Sequence, residues 1–349
     1  MLARGFPSVG RALAVIAVLT SSACFWAAPG HRGPTSQHFD GREFSNLGRR
    51  DVHGFAKAMW LFAFTHRDAW GHRDIQPSVP PRRVGQGELR ITFVNHATML
   101  MQFDGLNVVT DPVYSDLVGP VSFAGVRRLH DPGVALADLP PIDAVLVSHN
   151  HYDHMDMPTL RTLSHNHAPR IFAGLGSKHL LDEHGVLGGE DLDWWETSEL
   201  APGIRVTAVP VRHWSRRGVG DTDNTLWCGF VIETSRGPVY FAGDTGFGEH
   251  FHMAYERFGP MRAAMLPIGS YKPQSYMHIS HMSPDAALEA HLQLASSLSI
   301  AMHFGSFQLA FDDQGEAEAR LLAEAERRGI PGFVVLAPGE TRVIGAVDR

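Results

Sequence analysis

Ser148-His149-Asn150-His151-Tyr152-Asp153-His154 packs three imidazoles and a carboxylate into one short stretch. Burying so many polar groups without partners is costly, whereas a bound metal satisfies all of them at once. In an extended segment, alternation sends His149, His151 and Asp153 to one side, and a following turn brings His154 to the same cavity. Three later residues each close an apolar run: His213 follows Val209-Pro210-Val211, Asp244 lies in Phe241-Ala242-Gly243-Asp244-Thr245-Gly246, and His303 follows Ile300-Ala301-Met302. Taken singly, a histidine at a strand end is commonly structural, and an aspartate after glycine is commonly a turn residue. The chain nevertheless holds 21 histidines, and neutral imidazole is the commonest metal ligand in proteins. Cys24 and Cys228 are the only cysteines, which excludes a disulfide framework and a cysteine-based zinc finger. A metal here would be held by nitrogen and oxygen. That donor set suits zinc, is compatible with iron or manganese, and differs from the all-oxygen shells of magnesium and calcium.

The elements that must present these side chains can be read from the pattern of apolar runs and breakers. Residues 89–94, 98–103 and 108–110 read as strands, with Asp104-Gly105 as a hairpin turn between the second and third. Residues 142–147 form a continuous apolar run that feeds directly into His149. Further strands are expected at 170–173, 204–210, 226–233, 239–242, 264–268 and 298–302, with helices at 158–164, 177–184, 284–295 and 316–328. Strands and helices are mixed throughout, which makes the chain α/β rather than all-β.

Shorter motifs follow one another along the chain: Asn95-His96-Ala97-Thr98, Thr110-Asp111-Pro112-Val113, His213-Trp214-Ser215-Arg216-Arg217, Arg257-Phe258-Gly259-Pro260, Pro267-Ile268-Gly269-Ser270-Tyr271 and His303-Phe304-Gly305-Ser306-Phe307. With the histidine cluster, they make residues 88–312 resemble the metallo-β-lactamase superfamily, and within it the N-acylphosphatidylethanolamine-hydrolysing phospholipase D group. The resemblance implies an αββα sandwich over residues 88–349; residues 29–87, rich in Gly, Pro, Arg and His, read by their composition as an extended N-terminal appendage that wraps the domain. It implies that His149, His151 and His213 hold one metal, that Asp153, His154 and His303 hold a second, and that Asp244 bridges them. Two zinc ions at about 3.5 to 4 Å would activate a water and clamp the attacking and leaving oxygens, so no serine or cysteine nucleophile is needed. His281, in Ile279-Ser280-His281-Met282-Ser283-Pro284, aligns with a substrate-side histidine of the family and is the expected proton donor, with Tyr271 as the second candidate. The alternative for His281 is a plain neighbour of a helix N-terminus. Asp111 is a candidate outer acceptor for a ligating histidine, or a simple turn cap. The implied reaction is hydrolysis of a phospholipid phosphodiester that releases an N-acylethanolamine and leaves phosphatidic acid. A lactonase or another hydrolase on the same sandwich competes with it, as does a non-catalytic membrane-anchored lipoprotein.

Residues 1–28 read as an export signal, in which Arg4 and Arg11 provide a positive start and residues 12–19 a small-apolar run too short for a transmembrane helix. Ser21-Ser22-Ala23 suits ordinary cleavage, whereas Ser22-Ala23-Cys24 approximates a lipoprotein signal with an acylated Cys24. Secretion, lipidation and retention as an uncleaved anchor stay open, and all place the protein outside the cytoplasm, in the periplasm or on a membrane. A formal charge of −7 and a pI near 6.3 give no polybasic footprint. Composition therefore argues against nucleic acid and against electrostatic docking on an anionic bilayer. A membrane would have to be held by apolar contacts, and the apolar island at 55–64 is either a helix sealing the core or such a contact.

Overall fold

The computed structural model describes residues 27–47, 68–121 and 123–345. The export segment, Cys24 and the island at 55–64 lie outside these residues. The strands are β1 (Leu89–Asn95), β2 (Thr98–Phe103), β3 (Leu106–Thr110), β4 (Leu117–Val121), β5 (Ala124–Arg127), β6 (Ala144–Val147), β7 (Arg170–Gly174), β8 (Gly189–Leu192), β9 (Thr197–Ala201), β10 (Ile204–Val209), β11 (Gly229–Thr234), β12 (Gly237–Phe241), β13 (Ala263–Pro267), β14 (Ser299–Met302), β15 (Phe333–Val334) and β16 (Thr341–Ile344). The helices are α1 (Met157–His167), α2 (Ser177–Glu183), α3 (His250–Phe258), α4 (Gln274–Met277), α5 (Pro284–Gln293) and α6 (Glu316–Arg328).

Among the described residues the strands form two seven-stranded sheets, ordered β16-β1-β2-β3-β6-β7-β8 and β15-β14-β13-β12-β11-β10-β9, with β4 and β5 as a separate hairpin. Each sheet has an antiparallel part, joined by tight turns at β1–β2, β2–β3, β9–β10 and β11–β12 and by the long 210–228 loop at β10–β11, and a parallel part built from crossovers. Parallel neighbours cannot be joined by a hairpin, so helices make the return: α1 between β6 and β7, α2 between β7 and β8, α3 between β12 and β13, α5 between β13 and β14. At Asp104 and Gly105 both φ values are positive, 48° and 80°, the backbone that a two-residue hairpin turn requires.

Alternation along the strands decides which core each side chain enters. Met99, Met101 and Phe103 of β2 and Leu146 of β6 join Val206, Phe230 and Phe241 between the sheets, while Leu100, Val145 and Val147 face outward onto Leu160, Leu163, Leu180 and Leu181 of α1 and α2. The inter-sheet core continues to the opposite helices through Leu288 of α5 and Leu321 of α6. The result is the αββα sandwich. Helix α5 begins at Ser283, whose Oγ accepts from the Ala286 N–H, followed by Pro284 in the first turn.

Several expectations change. The strand expected at 226–233 begins at Gly229, because the Leu226 and Cys228 N–H groups donate instead to Leu175 and Ser148 of the other layer. Residues 149–154 are not extended: the His154 and Met155 N–H groups both donate to the His151 carbonyl, which closes a tight turn. β4, β5, β8, β9, β15, β16, α3 and α4 were not foreseen. The described parts of the appendage run without regular strands or helices, and Phe39 and Phe44, joined by an isolated bridge, insert into the inter-sheet core.

Candidate metal centre

Asp111 and the His149–His154 turn lie just beyond β3 and β6 of the first sheet, while His213, Asp244 and His303 follow β10, β12 and β14 of the second. Chain ends of both sheets therefore deliver side chains to one edge of the sandwich. Close approach is built in at Gly243, with φ 58°, where an added Cβ would sit 2.4 Å from the Ser148 Cβ. A larger residue there would push the Asp244 loop away from the histidine turn.

Outer partners settle which ring nitrogens face inward. His213 Nδ1 lies 3.0 Å from the Ser280 carbonyl, which can only accept, so Nδ1 carries the hydrogen and Nε2 presents a lone pair. Ser148 Oγ donates to Asp111 at 2.6 Å and stands 2.9 Å from His149 Nδ1, so it accepts from that nitrogen and leaves His149 Nε2 as a lone pair. Both lone pairs converge on His151 Nδ1, at 2.8 Å from His149 Nε2 and 3.3 Å from His213 Nε2. Burial holds the pKa of His149 and His213 well below the ordinary histidine range and brings His151 down to about 4, so all three are neutral near pH 7. One hydrogen on His151 cannot satisfy both facing nitrogens, whereas a cation at their meeting point can.

The second set has the opposite electrostatics. Asp244 Oδ2 lies 3.0 Å from His303 Nε2 and 3.3 Å from His154 Nε2, and Asp153 Oδ2 lies 3.6 Å and 3.4 Å from the same atoms. Burial opposes charge on His154, but the carboxylates of Asp244, Asp153 and Asp111 outweigh it and raise its pKa well above the ordinary value. For His303 burial is likewise outweighed, chiefly by Asp244, and the pKa rises to about 9. His154 Nδ1 is 2.7 Å from Asp111 Oδ2, which turns Nε2 inward. His154 Nε2, His303 Nε2 and Asp244 Oδ1 are buried without hydrogen-bond partners. A buried centre with unpartnered nitrogen and carboxylate donors fits a metal, since protein groups alone leave these atoms unsatisfied.

His281 lines the cavity of about 300 Å³ that opens over the site, together with His151, Asp153, Asp244 and Trp214. Its Nδ1 is 3.8 Å from Asp244 Oδ2 and has no hydrogen-bond partner. Tyr271 is not brought there. Ser270, with φ 58°, faces the cavity, while Tyr271 is buried in the core against α6, beneath the Arg320 guanidinium, 5.6 Å from the ring centroid. Asp111 takes the outer role, accepting from His154 and from the Ser148 N–H and Oγ. His96 was read only as part of a motif, yet its Nε2 lies 3.0 Å from Asp153 Oδ2 and it joins Asp153, His154 and His303 in one group of closely spaced ligand atoms. Its position directly after β1, like that of the other strand-end residues, was the signal available.

Residues 106–304 match the beta-lactamase superfamily domain. The chain belongs to this superfamily. A metal-dependent hydrolase of Methanopyrus kandleri is 30% identical over 263 residues, covering 72% of this chain and 99% of that protein. An N-acyl-phosphatidylethanolamine-hydrolyzing phospholipase D of Caenorhabditis elegans is 36% identical over 230 residues, 62% of this chain and 64% of its own length, so the chain spans less than two thirds of that relative. The solved structure of a metallo hydrolase from Ignicoccus hospitalis superimposes with a TM-score of 0.57 at 22% identity, covering 73% of this chain and 98% of that one, which shows a shared fold. This superfamily member is thus a metal-dependent hydrolase, with a histidine and aspartate cluster able to bind metal.

Proposed function

We propose that this hydrolase cleaves phosphodiesters at a two-metal site, with N-acylphosphatidylethanolamine-like phospholipids as substrates and phospholipase D-type products. The observation that carries this reading is the division of the ligand atoms into two sets: neutral His149, His151 and His213 on one side, and Asp153, His154 and His303 on the other, with Asp244 reaching both. Zinc, or iron or manganese, bound there would supply an activated water and neutralise charge on the phosphoryl oxygens. The chain's own residues do the positioning. Ser148 and Ser280 fix His149 and His213 with their inward nitrogens free of hydrogen, and Asp111 turns His154 Nε2 inward, where the proton that the neighbouring carboxylates favour would leave on metal binding, so the site is organised before substrate arrives. Burial brings the pKa of His281 down to about 4, so it is neutral at pH 7 and keeps one N–H for a substrate or leaving oxygen. The C. elegans relative supports the lipid substrate. Export and a lipidated Cys24 would place the enzyme beside a membrane, and metabolic labelling with an alkyne fatty acid that fails to depend on Cys24 would remove the lipoprotein reading.

The test is elemental analysis together with turnover of bis(p-nitrophenyl) phosphate by the wild type, Asp153→Ala and His303→Ala. We expect two metals per chain, and a loss of activity on the order of a hundredfold or more in both variants, the scale of removing one electrostatic stabiliser. Release of N-acylethanolamine from N-acylphosphatidylethanolamine vesicles then tests the lipid. Metal without phosphodiester turnover would move the substrate to lactones or thioesters, and a protein without metal would overturn the site.

A further inference from the structure

Next to the metal cavity lies a larger groove of about 540 Å³, between the β4–β5 hairpin and the start of α1. Val118 and Tyr152 line both spaces, so the two are neighbours across one wall. Three arginines line the groove: Arg217, Arg127 and Arg161. Arg217 is only 7% exposed. Its Nη1 donates to the carbonyls of Asn150 and Met155 at 2.8 Å each, and its guanidinium lies 4.1 Å over the Tyr152 ring. Its Nε has no hydrogen-bond partner, and among the described residues no carboxylate forms a salt bridge with it. Burial holds its pKa below the ordinary arginine value even though the carboxylates of Asp156, Asp221 and Asp153 favour its charge from nearby without pairing with it, so the buried cation is only partly compensated. Arg127 and Arg161 are exposed, and neither is ion-paired among the described residues. The acids that also line the groove are engaged: Asp116 with Arg128 at 2.8 Å, and Asp156 with Ser115, Tyr114 and Thr159. Leu117, Pro120, Met157 and Pro158 make the remaining wall apolar. The hairpin's own turn and the loop after Arg217 hold Phe123 and Val219 in solvent, 80% and 62% exposed.

We propose that this face docks on a phospholipid membrane, with the groove taking the phosphate of a neighbouring, uncleaved anionic phospholipid while the scissile lipid enters the metal cavity. The proposal rests on the lipid-substrate reading above. Charge complementarity selects the occupant. Unpaired guanidinium groups suit a phosphate oxyanion, and an apolar wall with exposed Phe123 and Val219 suits the glycerol and acyl region behind it, which a free phosphate lacks. The net charge of −7 conceals such a patch because it sums over the whole chain.

The full chain is sedimented with vesicles of phosphatidylcholine, and with vesicles of equimolar phosphatidylcholine and phosphatidylglycerol. Binding is expected to the anionic vesicles and to be far weaker to the neutral ones. The double variant Arg127→Ala, Arg161→Ala should bind the anionic vesicles roughly 30-fold more weakly, the equivalent of about 1 kcal/mol per basic side chain at an anionic surface. Its thermal melting, matched against the wild type, confirms that these two exposed positions have left the fold intact, and Phe123→Ser provides a second variant expected to weaken binding. Equal binding to both vesicle types, or unchanged binding by the double arginine variant, overturns the proposal. So does displacement by inorganic phosphate at concentrations where sodium chloride of equal ionic strength has no effect, since the ligand is then a soluble anion. A failure of the lipid-substrate reading looks different: vesicles are bound, and no N-acylethanolamine is released when N-acylphosphatidylethanolamine is included in them.

Discussion

His96 sits in the left-handed region with φ 46° and has its backbone clamped on both sides, its N–H donating to Ser306 Oγ at 2.8 Å and its carbonyl accepting from the His303 N–H at 2.7 Å. A non-glycine residue in that conformation costs on the order of 1 kcal/mol or more and persists where the surroundings enforce it. What it gains is position: Nε2 stands 3.0 Å from Asp153 Oδ2, with the ring 4.0 Å from that of His303. We expect His96→Ala to lower metal affinity about 10- to 100-fold, as for other outer partners of metal ligands, read by competition with a chromophoric chelator. His96→Gln should recover part of the loss, because its amide can still donate to Asp153. An alanine variant that holds metal like the wild type would show that Asp153 is oriented without His96.

At the scale of elements, the appendage takes part in the site. Asn46 accepts from the His213 N–H at 3.1 Å and the Trp227 Nε1 at 2.9 Å, and donates through Nδ2 to the His213 carbonyl at 2.9 Å. A segment without regular structure thereby fixes the backbone of a candidate ligand. Asn46→Ala removes the partner of the His213 N–H and carbonyl, while Trp227 Nε1 keeps the Val211 carbonyl at 3.2 Å, and should cost about 1–3 kcal/mol in urea unfolding, with weakened metal retention. Unfolding at the wild-type midpoint would assign the positioning of His213 to its own loop instead. A wrapping appendage was readable from its Gly, Pro and Arg content, but Asn46 carries no periodic or charge signal that could have marked the contact. The β4–β5 hairpin was equally hidden: its residues pair only with each other, and Gly119 and Pro120 blur the strand pattern.

For the molecule as a whole, the site joins two sheets, with candidate ligands contributed from both. Removing metal should therefore destabilise the entire sandwich rather than one loop. With free metal about a thousandfold above its dissociation constant, binding adds about 4 kcal/mol to the folded state. For a chain of this size that corresponds to a fall in Tm of about 5 °C on chelation, restored by added zinc. A melting curve indifferent to chelator would mean that the edge of the sandwich is held by packing alone.

The sequence by itself determined the fold class, most strand and helix positions, and the identity of the clustered histidines and aspartates, because strand period, turn chemistry and donor type are local properties. Extended alternation failed for His149 to His154 because the turn there is closed by hydrogen bonds to the His151 carbonyl, which no alternation rule encodes. Only the tertiary structure decided that His96 meets Asp153, that Tyr271 turns into the core, that Asp111 holds His154, and that three arginines from β5, α1 and the loop after His213 line one groove. Each of these joins residues far apart in the chain. Their meeting depends on strand register and on how the two sheets stack, quantities that the whole core sets together and no single segment carries.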